Sequence, residues 1–225
     1  MPDSDKTRDQ IISAAAEGFA RLGYDKTSMS DVAQEAGLSR RTIYLYFKGK
    51  EELFEALVVR EWMFYAQTWL EYVESDPRGG TLGGYIRATL HAINCRPFIA
   101  TLMRRDRRVL GSYLRKPDNV FSWLQSSPAG ADLIRALQAA GAVRPELDPV
   151  ITAHIIELIT YGQLTIDEFK PADQIPPFEA VMEALADNVD RMLTPDGGGD
   201  SEAGKAVIRQ VVAAARARYA ASKAF

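Results

Sequence analysis

Apolar residues return every three to four positions along most of this chain, and no stretch alternates with the period of two that a strand demands. Ile11, Ala15 and Phe19 share one face of a helix expected from about Thr7 to Leu22, behind a polar arm over residues 1–6, and Gly23 closes it. A second helix begins at Ser28, whose hydroxyl can cap it together with Asp31 three residues on. Val32, Ala33 and Ala36 form its inward stripe. Gly37 can take the left-handed backbone of a tight exit, Leu38 drops inward, and Ser39 caps a third helix anchored by Ile43 and Phe47. A fourth helix runs from Lys50 to about Ser75, with Leu53, Phe54, Leu57, Val58, Trp62, Tyr65 and Trp69 along it.

Residues 76–84 hold one proline and four glycines and are expected to interrupt the helices. A helix over Tyr85 to Asn94 follows, Arg96 and Pro97 force a break, and Phe98, Leu102 and Met103 open the next. Pro117 and the Ser-Pro-Gly stretch at 126–130 break the pattern again. Asp148 then caps, and Pro149 starts, a helix reaching about Thr165. It is apolar on more than one side, through Val150, Ile151, Ile155, Ile156, Leu158, Ile159 and Leu164, so it needs more than one packing partner. Pro176 and Pro177 lead into a helix through Val181, Leu185, Val189 and Leu193; a last one, from Glu202 to about Ala221, sets Val207, Val211, Ala215 and Tyr219 four apart. The chain is expected to be all-α, without internal repeats.

Residues 28–47 therefore read as a helix-turn-helix. The face opposite Ile43 and Phe47 carries Arg40, Arg41, Thr42, Tyr44 and Tyr46, followed by Lys48 and Lys50, with no acid between Glu35 and Glu51. A helix held by its back and read by its front is the recognition helix of a major-groove binder. Residues 27–53, with the amphipathic helix at 11–24, resemble the amino-terminal DNA-binding domain of the TetR family of bacterial transcriptional regulators. The aromatic pair Tyr44 and Phe47, Lys50 and the preceding helix agree in order and spacing over about the first quarter of the chain.

The resemblance implies a helix-turn-helix domain over residues 1–50 and a helical ligand-binding and dimerisation domain over residues 51–225, joined by the helix from 50 to 75. It implies a homodimer on double-stranded DNA at a near-palindromic operator. On the residues that match the motif, Arg40 and Thr42 are expected at base edges and Tyr44, Tyr46 and Lys50 at phosphates. Arg41 could do either, and Ser39, which caps the helix, is expected with them among the DNA-binding residues. The two helices near 149–165 and 177–193 are expected to pair with those of a second copy. The segment 202–221 departs from the simplest family pattern.

The net charge of -3 at 225 residues argues against a protein that coats DNA by bulk charge, so the positive charge must act locally. A single cysteine, Cys95, excludes an internal disulfide and is consistent with a reducing cytoplasm. No long apolar run suggests a leader or a membrane span, and the protein is expected in the cytosol, with no membrane partner. His91 and His154 are the only histidines, with no nucleophile motif, glycine-rich phosphate loop or metal cluster; neither an enzyme nor a cofactor is expected. An adaptor without DNA binding is the other alternative, against which the recognition face stands.

Arg104, Arg105, Arg107 and Arg108 around Asp106 read either as an anion or DNA site or as a solvated helix face, and short mixed charge runs favour the second. Trp62, Tyr65, Trp69, His91, Phe98, Met103, Phe121, Trp123 and Tyr161 supply more aromatic and soft surface than a thin bundle needs, and His91, Asn94, His154 and Gln163 could orient a ligand among them. Each alone reads as core. With the resemblance, the group is expected to receive a small hydrophobic or aromatic effector that releases the protein from DNA, although a ligand that strengthens binding fits the same residues.

Overall fold

The structure is a computed structural model that describes residues 2–117, 119 and 130–222. Its described elements are helical: α1 (Pro2–Leu22), α2 (Met29–Glu35), α3 (Arg40–Tyr46), α4 (Lys50–Ser75), α5 (Leu82–Asn94), α6 (Pro97–Arg104) and α7 (Arg107–Leu110) come first. A 3-10 turn over Gly111–Arg115 follows, then α8 (Gly130–Ala139), α9 (Pro149–Thr165), two short 3-10 turns, α10 (Phe178–Leu193) and α11 (Ser201–Ser222). No strand occurs among the described residues. No helix among them is long and apolar enough to cross a membrane.

Two compact units divide the chain. The first takes Met1–Phe64 and Arg96–Gln125. Its core buries Ile11, Ile12, Ala15 and Phe19 from α1, Ile43 and Phe47 from the α3 region, and Leu53, Phe54, Leu57 and Val58 from α4. Tyr113, from the 3-10 turn, is fully buried with them. The second unit takes Tyr65–Cys95 and Ser126–Phe225. There Leu82, Ile86 and Leu90 of α5 pack with Ile134 and Leu137 of α8, Ile156 of α9, and Met182, Val189 and Leu193 of α10. A smaller cluster joins Trp69 and Val73 to Ala88, Ala92 and Ile208 of α11.

Local signals place most boundaries. Asp148 caps α9 by accepting the amides of Val150 and Ile151, both at 2.9 Å, with Pro149 in the first turn. Two expectations give way. Residues 2–6 belong to α1 rather than to a loose arm. The break after Ser75 is shorter than the glycines suggest, because Thr81 caps α5 and both Gly83 and Gly84 lie inside it. The reason is packing: a Cβ on Gly83 would sit 2.4 Å from the Ala186 carbonyl oxygen, so the glycine admits the backbone of α10 rather than ending a helix.

Arg87, on the α5 face toward α10, is buried and pairs with Asp76 at 2.9 Å and Glu183 at 3.2 Å. A guanidinium taken from water is tolerated only when such partners replace its hydration.

Candidate functional site

The geometry of residues 28–50 follows from two caps and one turn. Ser28 Oγ accepts the Asp31 amide at 3.2 Å, and the Asp31 carboxylate accepts the Ser28 amide at 2.8 Å, which closes the expected capping box. Ser39 Oγ accepts the Thr42 amide at 3.0 Å and starts α3. At about 100° per residue, α3 then divides into faces. Ile43 and Phe47 point inward and are buried; Arg41 and Leu45 fill the opposite arc, Tyr44 lies to one side, and Arg40, though in register with Ile43, is the first residue of the helix, and all four are exposed. Thr42 and Tyr46 flank the two and are half-buried.

The remaining candidates of this face have partners of their own. The Thr42 hydroxyl lies 2.8 Å from Ser39 Oγ. The Lys50 ammonium donates to the carbonyls of Tyr24 at 2.8 Å and Asp25 at 3.2 Å and sits over the Tyr24 ring. Two of its three donors are thus engaged within the head, and one remains. Leu45, 76% exposed, was not among the sequence candidates. An exposed leucine on a helix face otherwise polar was the available signal.

The Asp31 carboxyl is held below the ordinary carboxylate range by the Ser28 hydroxyl and, next, by the Ser28 amide. A depressed folded-state value means that the cap contributes stability above about pH 4 and loses it as the pH falls through the folded value. Asp31→Asn should therefore lower the urea midpoint at pH 7 and converge with the parent as the pH falls through the folded value, read by circular dichroism across that range. An equal gap at both ends would refute the cap account.

The described candidate ligand residues are divided between the two units. In the second unit, Trp69 Nε1 donates to Thr89 Oγ1 at 3.0 Å and its ring meets Tyr85 edge-on at 5.3 Å, with Tyr65 packed on the same cluster. Burial pushes the Tyr65 and Tyr85 phenols up. The His91 ring stacks at a tilt on Tyr72, 4.6 Å between centroids. His154 and Tyr161 lie exposed on α9, His154 within 3.7 Å of Glu157, and Asn94 is exposed at the end of α5. Trp62, Phe98 and Met103 are half-buried residues of the first unit. Phe121 and Trp123 lie outside the described residues. Tyr85 and Thr89, four apart on α5, are the members of this cluster that sequence reasoning missed; a tyrosine and a threonine on a buried helix face give no signal until Trp69 is seen to donate to one of them.

Comparisons with known proteins bear on both regions. Residues 11–57 match the profile of bacterial regulatory proteins of the tetR family. The chain is 41% identical over 56 residues to the HTH-type transcriptional regulator TtgR of Pseudomonas putida, an alignment covering 25% of this chain and 27% of that protein. The chain thus spans about a quarter of the length of such curated relatives. It is 27% identical over 161 residues to an HTH-type transcriptional repressor of Mycobacterium tuberculosis, covering 70% of this chain and 80% of that one. A TetR-family transcriptional regulator from Haemophilus influenzae has a crystal structure that superposes with a TM-score of 0.55 at 19% identity, over 84% of this chain and 98% of that one. At that identity the likeness is one of fold.

Proposed function

We propose that this chain, whose residues 11–57 match the tetR-family profile, is a sequence-specific DNA-binding transcriptional regulator, a homodimer on a near-palindromic operator that a small apolar ligand releases. The observation that carries the DNA-binding reading is the α3 face. Arg40, Arg41 and Tyr44 stand exposed on a helix whose back is fixed by buried Ile43 and Phe47. That arrangement offers a rigid set of donors to a major groove. Arg40 and Thr42 are assigned to base edges; Tyr44, Tyr46 and Lys50 to phosphates, which fix the register.

Arg40→Ala should cost about 1–3 kcal/mol on the operator and relax selectivity at one base position. The operator is first obtained by selection from genomic fragments, and affinity is then read by anisotropy on operator and random duplex. Equal losses on both duplexes would remove Arg40 from the base-reading set. Absence of any salt-sensitive, sequence-dependent binding by the parent protein would remove the function.

The dimer reading rests on α9. Val150, Ile151, Ile155, Leu158 and Tyr161 are between 37% and 62% exposed along one helix of the chain taken alone. An apolar stripe of that length, left in water, is the surface that a second copy would cover in a two-fold arrangement. The effector is assigned to the Trp69 cluster of the second unit, where aromatic faces surround a few hydroxyls. Trp69 and Lys50 lie on one continuous helix, α4. A ligand that favours one of two conformations by about 1.4 kcal/mol changes operator affinity tenfold.

A further inference from the structure

The end of the head that carries Lys48, Lys50 and the start of α2 has a neighbour from much later in the chain. Helices α1 and α4 run antiparallel: Arg60 Nη1 donates to Ser13 Oγ at 2.8 Å, Phe54 meets Phe19 at 5.0 Å, and Lys50 reaches Tyr24 O at 2.8 Å. The turn after α1 therefore lies level with the first turn of α4. The segment 107–116 is fastened at that level. The Tyr24 amide donates to Val109 O at 2.7 Å, the Asp25 carboxylate accepts both the amide and the hydroxyl of Ser112, and Tyr113 Oη donates to Glu55 at 3.2 Å. Lys116 forms an ion pair with Glu51.

This attachment is built to be close. Gly23 has φ +79°, and a Cβ there would lie 2.4 Å from the Arg108 carbonyl oxygen; Gly111 has φ +49°, and its Cβ would lie 2.3 Å from Asp25 Oδ2. Any side chain at either position would part the two segments. Of the cations on the segment, Arg108 is folded onto Asp106 at 3.0 Å and Lys116 is neutralised by Glu51. Arg107 and Arg115 are exposed, and neither side chain has a hydrogen bond or ion pair among the described residues; of the two, Arg115 is the one near enough to Asp25 to lower its carboxyl.

We propose that Arg115 is a further DNA-phosphate contact, which widens the DNA-binding face beyond the helix-turn-helix onto a segment some 65 residues downstream of it. The inference rests on the DNA-binding reading above. The Arg115 guanidinium, level with the Lys50 end of α4, forms no ion pair; the nearby Asp25 carboxylate, which it helps hold below the ordinary range, already accepts from Ser112, so bidentate donors are left for a backbone oxygen. It carries no sequence information, since phosphates are alike.

Because the contact is independent of sequence, it can be tested before the operator is known, with a random-sequence duplex of roughly 40 base pairs titrated by anisotropy from low to moderate salt. Arg115→Gln should flatten the slope of log affinity against log salt by about 1 for each bound protomer, and Arg115→Lys should restore it. Arg135→Gln, on α8 and paired with Asp132 at 2.6 Å, controls for the change in net charge and should leave the slope unchanged. If Arg115→Gln and Arg135→Gln give the same slope as the parent, the contact is overturned and DNA binding stands. If the parent itself shows no salt-sensitive binding, the DNA-binding reading fails and takes the contact with it.

Discussion

Tyr113→Ala is expected to cost about 3–5 kcal/mol of stability and to lower the melting midpoint by roughly 10 °C. The residue is 0% exposed. Its ring stands 4.7 Å from Phe54 and 5.4 Å from Tyr24, and Phe54 in turn meets Phe19 at 5.0 Å, so one side chain from the 3-10 turn completes an aromatic cluster otherwise made by α1 and α4. Truncation leaves a cavity that these rings can fill only by shifting, and it removes edge-to-face pairs beyond the lost burial.

Tyr113→Phe keeps the ring and deletes the hydroxyl with its bond to Glu55; it should cost about 1 kcal/mol. Thermal denaturation of both variants separates the two contributions, and near-equal losses would mean that the hydroxyl, not the ring, holds the segment. Because the same segment fastens to Tyr24 and Asp25 beside Lys50, Tyr113→Ala should also weaken DNA binding under conditions where the protein is folded.

Leu158→Asp should act on the assembly rather than on the fold. Leu158 is 59% exposed in the single chain, so an aspartate there meets water and costs the monomer little. In the proposed dimer, the two-fold axis makes every substitution count twice, and each copy would bury a carboxylate in an otherwise apolar stripe. At a few kcal/mol per buried charge, the dimer dissociation constant should rise by at least about a hundredfold. Sedimentation of the variant at micromolar concentration should then report the 24.9 kDa monomer, with an unchanged helical spectrum. Operator affinity should fall with it, since two half-sites joined in one molecule bind far more tightly than either alone. A variant that stays dimeric would move the interface away from this face of α9.

The helices were legible because their causes are local. Ser28 with Asp31, Ser39, and Asp148 with Pro149 are each complete within four residues of sequence, and the structure shows the corresponding hydrogen bonds. The inward residues Ile43 and Phe47 follow from a period of 3.6, which fixes which side of α3 is free. Gly83 shows the limit of that reasoning: a glycine that ends a helix and one that admits a neighbouring backbone look the same in a sequence, and only the Ala186 carbonyl decides between them.

The aromatic residues were the least legible. Trp62, Trp69, Phe98 and Tyr161 look alike by composition, but burial and partner are properties of three-dimensional neighbours: Trp69 is buried and donates to Thr89, whereas Tyr161 is half exposed on α9. By itself the sequence determined the all-helical class, the helix-turn-helix and the residues on its outer face, because hydrogen bonds and periodicity within a turn or two of helix specify them. The tertiary structure alone decided that residues 107–116 return to Tyr24, Asp25 and Glu55, since that contact depends on chain closure over more than fifty residues and on two glycines whose purpose appears only when the opposing carbonyl and carboxylate are in place.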